Sequence, residues 1–405
     1  MAYRKFRADR LFTGRELLGN DHVLITEKDG RIKSIVAIAE AGSDIEELRG
    51  ILTPGFINCH CHLELSHMKG MIPTATGLID FVLKVVTQRD FPQEEIFLAM
   101  VSAENELLMN GVVAVGDICN NTDSIAAKKN GRLYYHNFIE VSGWNPAIAD
   151  IRFEKSKSFY DEYAKVFEGK LNASSHSEAG LSMAPHAPYS VSDELWEKIQ
   201  PYYNGLTTIH NQESAQENEL FENGRGEFLR LYNLMKIENT GFVSTHKSSL
   251  QSCLSKLSPA KRVILVHNTF TSQNDLEYCI NSFHGSDHQH ALFFCLCPNA
   301  NLYIENELPP VELFRKFNCN IVLGTDSLAS NHQLSILKEA QTLSKHFPNI
   351  PLEEILQWCT SRGAAALGIS EQFGSFSAGK KPGINLIEST FVDHLSENAR
   401  VRKML

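Results

Sequence analysis

Apolar residues in this chain form short runs, and stretches with helical periodicity separate them over most of its length. The eight runs are residues 56–59, 112–117, 132–137, 181–186, 206–210, 263–267, 291–296 and 320–326. Several are apolar almost throughout, which is typical of parallel strands buried on both faces. The helical stretches include residues 93–109, 193–200 and 311–317. Eight β-then-α units predict an α/β fold, a (β/α)8 TIM barrel.

The two ends of the chain have a different pattern. Residues 23–26 and 32–36 are strand-like and flank the turn Lys28-Asp29-Gly30, which indicates a hairpin. Residues 384–387 are again strand-like after a glycine-containing turn. We expect both ends to form one small, discontinuous β-sandwich-like domain. The predicted boundaries are 1–53 and 371–405 for this domain and 54–370 for the barrel.

Composition narrows the class of protein. The chain has 405 residues, 43% of them hydrophobic and 21% charged, with a net charge of −10, as in ordinary soluble globular proteins. The sequence has no basic cluster of the kind that predicts a nucleic-acid partner. No apolar run approaches the ~20 residues of a membrane span. Nine cysteines and no apolar signal core predict a cytoplasmic protein with reduced thiols. The Cys-x-Cys pairs Cys59/Cys61 and Cys295/Cys297 indicate strand packing, since structural zinc sites usually use Cys-x2-Cys.

Side chains able to bind a metal stand at the ends of the apolar runs. His60 and His62 lie two residues apart, so on a strand both point to one face. Imidazole is a common ligand of zinc, iron, copper and nickel. The other ends carry His186, His210, His267 and Asp326. Any one histidine alone would indicate a hydrogen-bonded core residue, but barrel active sites lie at these strand ends, so the set predicts a metal site.

Three further positions suggest proton transfer. Glu213 follows His210 by three residues and is placed to act as a general acid and base, or else to stabilise a helix N-terminus. His267 can polarise a water molecule, be a fourth imidazole ligand, or be a core histidine. Asp326 can bind the metal and accept the water's proton, or cap a helix. A bound divalent ion lowers the pKa of water from ~15.7 toward ~7.

These motifs, His60-x-His62, His210-x-x-Glu213, His267 and Asp326, resemble the amidohydrolase superfamily. The segments 53–60, 185–192, 297–301 and 324–326 resemble its mononuclear deaminase branch, which includes guanine, cytosine, adenosylhomocysteine and aminofutalosine deaminases and the triazine hydrolases. The resemblance implies one Zn²⁺ per subunit, with Fe²⁺ as the alternative. Its implied ligands are His60, His62, His210 and Asp326, and its implied catalytic residues are Glu213, His267 and Asp326.

One position bears on the number of metal ions, and one segment departs from the family's pattern. Dinuclear members carry a carboxylated lysine at the end of strand four, where this chain has His186, so the resemblance implies one metal and a histidine that faces the substrate. Residues 379–386 read Gly-Lys-Lys-Pro-Gly-Ile-Asn-Leu, where the family usually has Gly-Lys-x-Ala-Asp-Leu. That departure concerns the packing of the small domain.

Candidate substrate contacts complete the sequence prediction. Glu64 can accept hydrogen bonds from a substrate, or be a surface carboxylate or the salt-bridge partner of a nearby lysine. Arg89 ends the helical stretch 76–89 and can bind a carboxylate, or favour the helix C-terminus. Asn301, in the segment 297–301, is a further candidate for substrate binding.

The predicted function is a zinc-dependent hydrolytic deaminase of an aminated heteroaromatic ring. The specific candidate is 6-amino-6-deoxyfutalosine, which carries a benzoate, or a related adenosine derivative. The alternatives are a hydrolase of a triazine, of guanine or a pterin, or of a cyclic amide on the same scaffold. A non-catalytic metal-binding protein is disfavoured, because the set of ligand and proton-transfer residues is complete. We expect small-molecule substrates and a homo-oligomer, most simply a dimer.

Overall fold

The computed structural model describes residues 3–168, 179–283, 291–389 and 395–405. Its strands are β1 (Tyr3–Arg7), β2 (Arg10–Phe12), β3 (Leu17–Leu18), β4 (His22–Glu27), β5 (Ile32–Ala37), β6 (Glu46–Glu47), β7 (Ile51–Pro54), β8 (Phe56–Cys61), β9 (Val112–Cys119), β10 (Tyr134–Val141), β11 (Ala179–Pro185), β12 (Leu206–Asn211), β13 (Arg262–His267), β14 (Ala291–Leu296), β15 (Asn320–Leu323), β16 (Ile384–Glu388) and β17 (Arg400–Lys403). Its helices are α1 (Leu78–Gln88), α2 (Gln93–Met109), α3 (Ile125–Lys128), α4 (Ala149–Val166), α5 (Asp193–Ile199), α6 (Ala215–Asn223), α7 (Glu227–Met235), α8 (Ser249–Leu257), α9 (Gln273–Phe283), α10 (Pro298–Ile304), α11 (Val311–Lys316), α12 (Ile336–His346), α13 (Leu352–Cys359) and α14 (Ser361–Leu367).

The eight predicted strands are present as β8 to β15. They form two four-stranded parallel sheets, in the orders β11-β10-β9-β8 and β12-β13-β14-β15. At one junction the His210 N–H donates to the His186 carbonyl over 3.0 Å, and at the other the Asp326 N–H donates to the His60 carbonyl over 3.1 Å. Among the described residues, neither junction has the regular series of backbone hydrogen bonds that pairs two strands of one sheet. The eight-strand pattern is therefore confirmed, whereas closure into a continuous barrel is not observed.

Successive residues of these strands are buried on opposite faces. Ala114 of β9 and Phe138 of β10 belong to an inner apolar cluster, whereas their neighbours Val115 and Ile139 pack in the outer cluster with the surrounding helices. This alternation explains why the strands are apolar throughout. Cys59, Cys61, Cys295 and Cys297 are all buried in these two clusters. The first three lie within strands, whereas Cys297 directly follows β14 as the N-cap of α10.

The ends of two strands, β10 and β15, differ most from their predicted positions. The run 132–137 becomes β10, which continues to Val141, because Phe138, Ile139 and Val141 are also buried. The run 320–326 stops being a regular strand at Leu323. Beyond that point the backbone passes close to His60, where a Cβ on Gly324 would lie 2.8 Å from the His60 Cβ. Glycine therefore permits the close approach that brings Asp326 beside His60.

The ends of the chain meet in two further sheets, with the orders β5-β4-β1-β6 and β17-β16-β7-β2-β3. Strands β4 and β5 pair antiparallel, as the predicted hairpin requires. From the C-terminal part of the chain, β16 pairs with β7, with Leu386 opposite Leu52. Phe6, Leu24 and Leu386 share one apolar cluster across the two sheets. The division at 1–53, 54–370 and 371–405 stays a prediction.

Candidate metal centre and active site

Four side chains converge where the parallel strands end. The ligand atoms of His60, His62, His210 and Asp326 all lie within 4.8 Å of one another. The His62 Nε2 lies 3.2 Å from the Nε2 atoms of both His60 and His210, and 3.5 Å from the Asp326 Oδ1. One ring nitrogen has at most one proton and cannot donate to both neighbours. Tetrahedral zinc with Zn–N bonds of 2.0–2.1 Å places its nitrogens about 3.3 Å apart, so these residues fit a zinc ion.

The protonation of the histidines also fits metal binding. The His210 Nδ1 lies 2.8 Å from the His186 carbonyl oxygen, which can only accept a hydrogen bond. The Nδ1 therefore has the proton, and the Nε2 keeps its lone pair for a metal. Burial lowers the pKa of His62 to about 3 and also lowers the pKa values of His60 and His210. The three imidazoles are thus neutral at physiological pH, the form that binds metals.

Asp326 is held in an ionised and strained state. Burial opposes its ionisation, but the adjacent His60 and the rings of His62 and His267 lower its pKa well below the usual value. Its backbone has a φ of +56°, a left-handed conformation that is uncommon for residues other than glycine. The Ser330 hydroxyl donates to its Oδ2. Such strain persists where surrounding contacts impose it, commonly at functional sites.

Glu213 and His267 lie beside the four converging side chains. The His267 Nδ1 donates to the Asn301 Oδ1 over 3.1 Å, so the Nε2 is unprotonated, and it has no hydrogen-bond partner. The Glu213 Oε1 lies 3.6 Å from this Nε2. Burial, with the charges of Asp326 and Glu305, raises the pKa of Glu213 well above its usual value. A carboxyl with a raised pKa next to an unprotonated imidazole is suited to proton transfer.

A second cluster of potential ligands, Glu140, His186 and His210, overlaps the first. It would use the His210 Nδ1, which lies 3.9 Å from the Glu140 Oε2 and whose proton already goes to the His186 carbonyl. The His186 Nδ1 in turn lies 2.8 Å from the Ser190 hydroxyl. Because the two clusters share His210, whose Nδ1 is already engaged, they are not two independent metal sites.

A cavity of about 290 Å³ lies beside this site. Its lining includes His62, His210, Asp326, Glu213, His267 and His186. Its inner wall includes two further carboxylates, Glu64 and Glu140, next to Asn120. The Asn120 N–H donates to the Glu64 Oε2 over 2.9 Å. Burial raises the pKa values of Glu64 and Glu140 to about 7 each. Glu64 is thus a buried cavity residue, which excludes its alternative as a surface carboxylate.

The outer part of the cavity has a different character. Apolar side chains of α1, including Phe81, Val82 and Val85, and Phe159 of α4 contribute to its lining. Three exposed basic residues also line the cavity, namely Arg89, Arg152 and Lys155. The cavity therefore combines inner carboxylates with an apolar wall and a basic rim.

A buried ion pair supports the loop that carries His62. The Asp117 Oδ1 accepts the N–H of Leu63 over 2.9 Å, directly after His62. The Lys128 Nζ lies 2.5 Å from the Asp117 Oδ2, and both side chains are fully buried. Lys128 also donates to the Asn137 Oδ1 over 2.9 Å. The Lys128–Asp117 pair therefore holds the backbone at Leu63, directly after the candidate metal ligand His62.

The structure thus brings together most of the predicted site residues. His60, His62, His210, Asp326, Glu213 and His267 meet at one point, and Glu64, Arg89 and His186 line the same cavity. Asn301 lies behind His267 and is absent from the described residues that line the cavity. Glu140, Arg152 and Lys155 were missed. Only Glu140 carried a signal, since it lies near the end of a strand that was predicted too short.

Three comparisons relate the chain to known proteins. A 5-methylthioadenosine/S-adenosylhomocysteine deaminase of Teredinibacter turnerae is 26% identical, covering 93% of this chain and 81% of that protein. The Helicobacter pylori aminofutalosine deaminase in complex with methylthio-coformycin superposes with a TM-score of 0.78 at 22% identity, covering 95% of this chain and 92% of that one.

A zinc-bound adenosine deaminase from Xanthomonas campestris superposes with a TM-score of 0.69 at 21% identity, covering 95% of this chain and 84% of that one. The two superpositions show a shared fold. The sequence profile of the Amidohydrolase family matches residues 51–404. The chain therefore belongs to the Amidohydrolase family.

Proposed function

We propose that the protein is a zinc-dependent hydrolytic deaminase of an adenosine derivative, a hydrolase of C–N bonds in cyclic amidines. The observation that carries this proposal is the convergence of three imidazoles and one carboxylate within 4.8 Å, beside the cavity that Glu213 and His267 line. The names of the relatives support it, since those from T. turnerae, H. pylori and X. campestris are all called deaminases of adenosine-type compounds.

In this proposal His60, His62, His210 and Asp326 hold one metal ion. The ion would act as a Lewis acid that activates water at neutral pH. The bound zinc of the X. campestris relative supports zinc over the alternative, Fe²⁺. The absence of a lysine at the position of His186 is consistent with one metal rather than two.

The reaction adds water to the amino-bearing ring carbon, releases ammonia and leaves a ring carbonyl. Glu213, protonated because its pKa is raised, gives its proton to the ring nitrogen. It then takes one proton from the attacking water and passes it to the leaving amine. Asp326 accepts the remaining hydroxyl proton as the ring carbonyl forms. The unprotonated Nε2 of His267 accepts a hydrogen bond from the water and orients it. Asn301 acts on His267 rather than on the substrate, because its oxygen holds the His267 Nδ1–H.

The cavity also supports a finer proposal about the substrate. Glu64 and Glu140 are placed to accept hydrogen bonds from sugar hydroxyls. The His186 Nε2 is a further acceptor, because the Ser190 hydroxyl donates to the Ala187 carbonyl and therefore accepts the His186 Nδ1–H. The apolar wall formed by α1 and α4 suits an aromatic group. The basic rim suits a carboxylate beyond it, through Arg89 and Arg152. These features favour 6-amino-6-deoxyfutalosine, an adenosine-type nucleoside with a benzoate.

Guanine, a pterin or a triazine remains the alternative class of substrate. Such a molecule consists of little more than the ring that reacts. It would leave both the inner carboxylates and the basic rim without a partner, which disfavours these compounds.

The test is ammonia release by the zinc-loaded protein. The substrates are 6-amino-6-deoxyfutalosine, adenosine, 5′-methylthioadenosine, S-adenosylhomocysteine, guanine and a triazine. We expect the highest kcat/KM, ~10⁴ M⁻¹s⁻¹ or more, with 6-amino-6-deoxyfutalosine. A preference for adenosine or 5′-methylthioadenosine would overturn the benzoate assignment and keep the deaminase. Turnover of guanine or the triazine alone, with the metal bound, would overturn the nucleoside proposal.

A further inference from the structure

Glu217 is a fully buried carboxylate close to the active site that plays no part in the chemistry described above. It lies in the first turn of α6, four residues after Glu213. Its oxygens accept three consecutive backbone N–H groups: Gln212 over 3.1 Å, Glu213 over 2.7 Å and Ser214 over 3.4 Å. The Ser249 hydroxyl is a fourth donor, at 3.3 Å.

These contacts exceed those of an ordinary helix cap. In a capping box, a glutamate at the third helical position accepts only the N–H of the N-cap residue, which here is Ser214. Glu217 also binds the two N–H groups that precede the cap. Gln212 has a φ of +44°, a left-handed conformation that turns successive N–H groups toward one point. The shortest of the three bonds is the one to the N–H of Glu213.

The turn is fixed from its other side as well. The Gln212 Nε2 donates to the Asp275 Oδ2 over 3.0 Å, and its Oε1 accepts the Thr271 hydroxyl over 2.7 Å. With Gln212 held in this way, Glu217 determines the placement of the next residue. The Glu213 side chain then extends into the cavity, 3.6 Å from the His267 Nε2.

We propose that Glu217 is a positioning residue, which holds the 212–214 turn so that the Glu213 carboxyl lies at the reacting ring. This inference rests on the proposed role of Glu213. It assigns to Glu217 an effect on the rate of proton transfer, in addition to its contribution to the helix N-terminus.

The test uses Glu217→Gln in the zinc-loaded protein, with the nucleoside of the panel above that the wild type deaminates fastest. Gln keeps one acceptor oxygen and replaces the other with an NH₂ group that cannot accept the N–H bonds. We expect kcat to fall about 10–100-fold, as for residues that orient a catalytic group, with KM and metal content little changed. Amide hydrogen exchange should become faster at residues 212–214. The matched control is Glu222→Gln, an exposed position on the same helix, which should match the wild type in all four measurements.

The outcomes separate this inference from the proposed function. The positioning role is overturned if Glu217→Gln keeps the wild-type kcat although amide exchange at 212–214 becomes faster. For that conclusion, Glu213→Gln must still be inactive. An active Glu213→Gln overturns the role of Glu213 itself. If Glu217→Gln does not fold, Ser249→Ala replaces it, since this change removes one donor to Glu217. Ser249→Ala should lower kcat by a smaller factor than Glu217→Gln, with KM unchanged. A wild-type kcat together with faster amide exchange at 212–214 in this variant overturns the inference.

Discussion

The Oε1 of Glu213 lies 3.6 Å from the Nε2 of His267, beyond hydrogen-bond distance. The His267 ring cannot rotate to offer its other nitrogen, because the Nδ1–H is bonded to Asn301. Both side chains are almost completely buried. A proton donor and a proton acceptor therefore lie beside the same small space, without a hydrogen bond between them.

Glu213→Gln should reduce kcat by about 10²–10⁴-fold, the usual contribution of a general acid or base. Glutamine has nearly the same shape but can neither release nor accept the proton. Since Glu213 is outside the four-residue ligand set, the variant should keep one metal ion per chain. Steady-state kinetics and metal analysis check both parts. Near wild-type turnover would show that another group transfers the proton.

Asn301→Leu should lower kcat by about tenfold or more, because the His267 Nδ1–H loses its acceptor and the ring is free to turn. Asn301→Asp keeps an acceptor at the same place and should retain more activity than the leucine variant. Kinetics of the two variants, with melting temperatures as the control for folding, provide the measurement. Equal losses in both would contradict an orienting role.

Metal removal should abolish turnover and lower the melting temperature. The four ligand side chains then lack the ion that holds them together, and a ligand present at 100 times its Kd stabilises the folded state by about 2.7 kcal/mol. Dialysis against a chelator, followed by one equivalent of Zn²⁺, should restore both properties. In His62→Ala, added zinc should restore neither. Full activity of the metal-free protein would contradict the assignment.

Arg152→Met should reduce kcat/KM for 6-amino-6-deoxyfutalosine by about tenfold or more, since hydrogen bonds to charged groups contribute about 1.5–3 kcal/mol. The same change should leave adenosine turnover nearly unaltered, because adenosine has no carboxylate. Arg225→Met is the control, as Arg225 is exposed and pairs with Glu219. A parallel loss with both substrates would place the effect of Arg152 elsewhere.

His136 should make the fold sensitive to acid. Burial lowers its pKa to about 3, whereas in an unfolded chain the value is about 6.5. Between these values the unfolded chain binds a proton that the folded chain excludes, so stability falls as the pH falls. The contribution at pH 5 is about 2 kcal/mol.

His136→Asn should therefore lose less stability between pH 8 and pH 5 than the wild type, by about 2 kcal/mol. Urea unfolding at the two pH values measures this difference. Exposed His346→Gln is the control and should keep the wild-type pH dependence. An identical pH dependence in His136→Asn and the wild type would contradict the assignment.

The part of the site that the sequence predicts depends on local rules. His60 and His62 share a face because strand residues alternate, and His210, His267 and Asp326 follow apolar runs whose ends meet in a parallel sheet. Glu64 follows the first strand closely, and Arg89 lies at the C-terminal end of α1. These positions can be inferred without knowing how distant helices pack.

The rest of the site depends on tertiary structure. Arg152 and Lys155 are exposed residues of α4, and only the packing of that helix places them beside the cavity. Asn301 lies in the segment 297–301, which resembles the deaminase branch, but α10 places it behind His267. Glu217 has the spacing of a helix cap, and its two additional N–H bonds follow from the left-handed backbone at Gln212.

The Lys128–Asp117 pair restricts which substitutions the chain can accept at these two positions. Removing either partner leaves a lone charge away from water, which typically costs 3–5 kcal/mol, whereas replacing both by apolar groups is often neutral. Single substitutions at these positions should therefore be poorly tolerated, and the pair should change together or not at all. Because Leu63 also donates to Asp117, any such joint replacement has to supply another acceptor for its N–H.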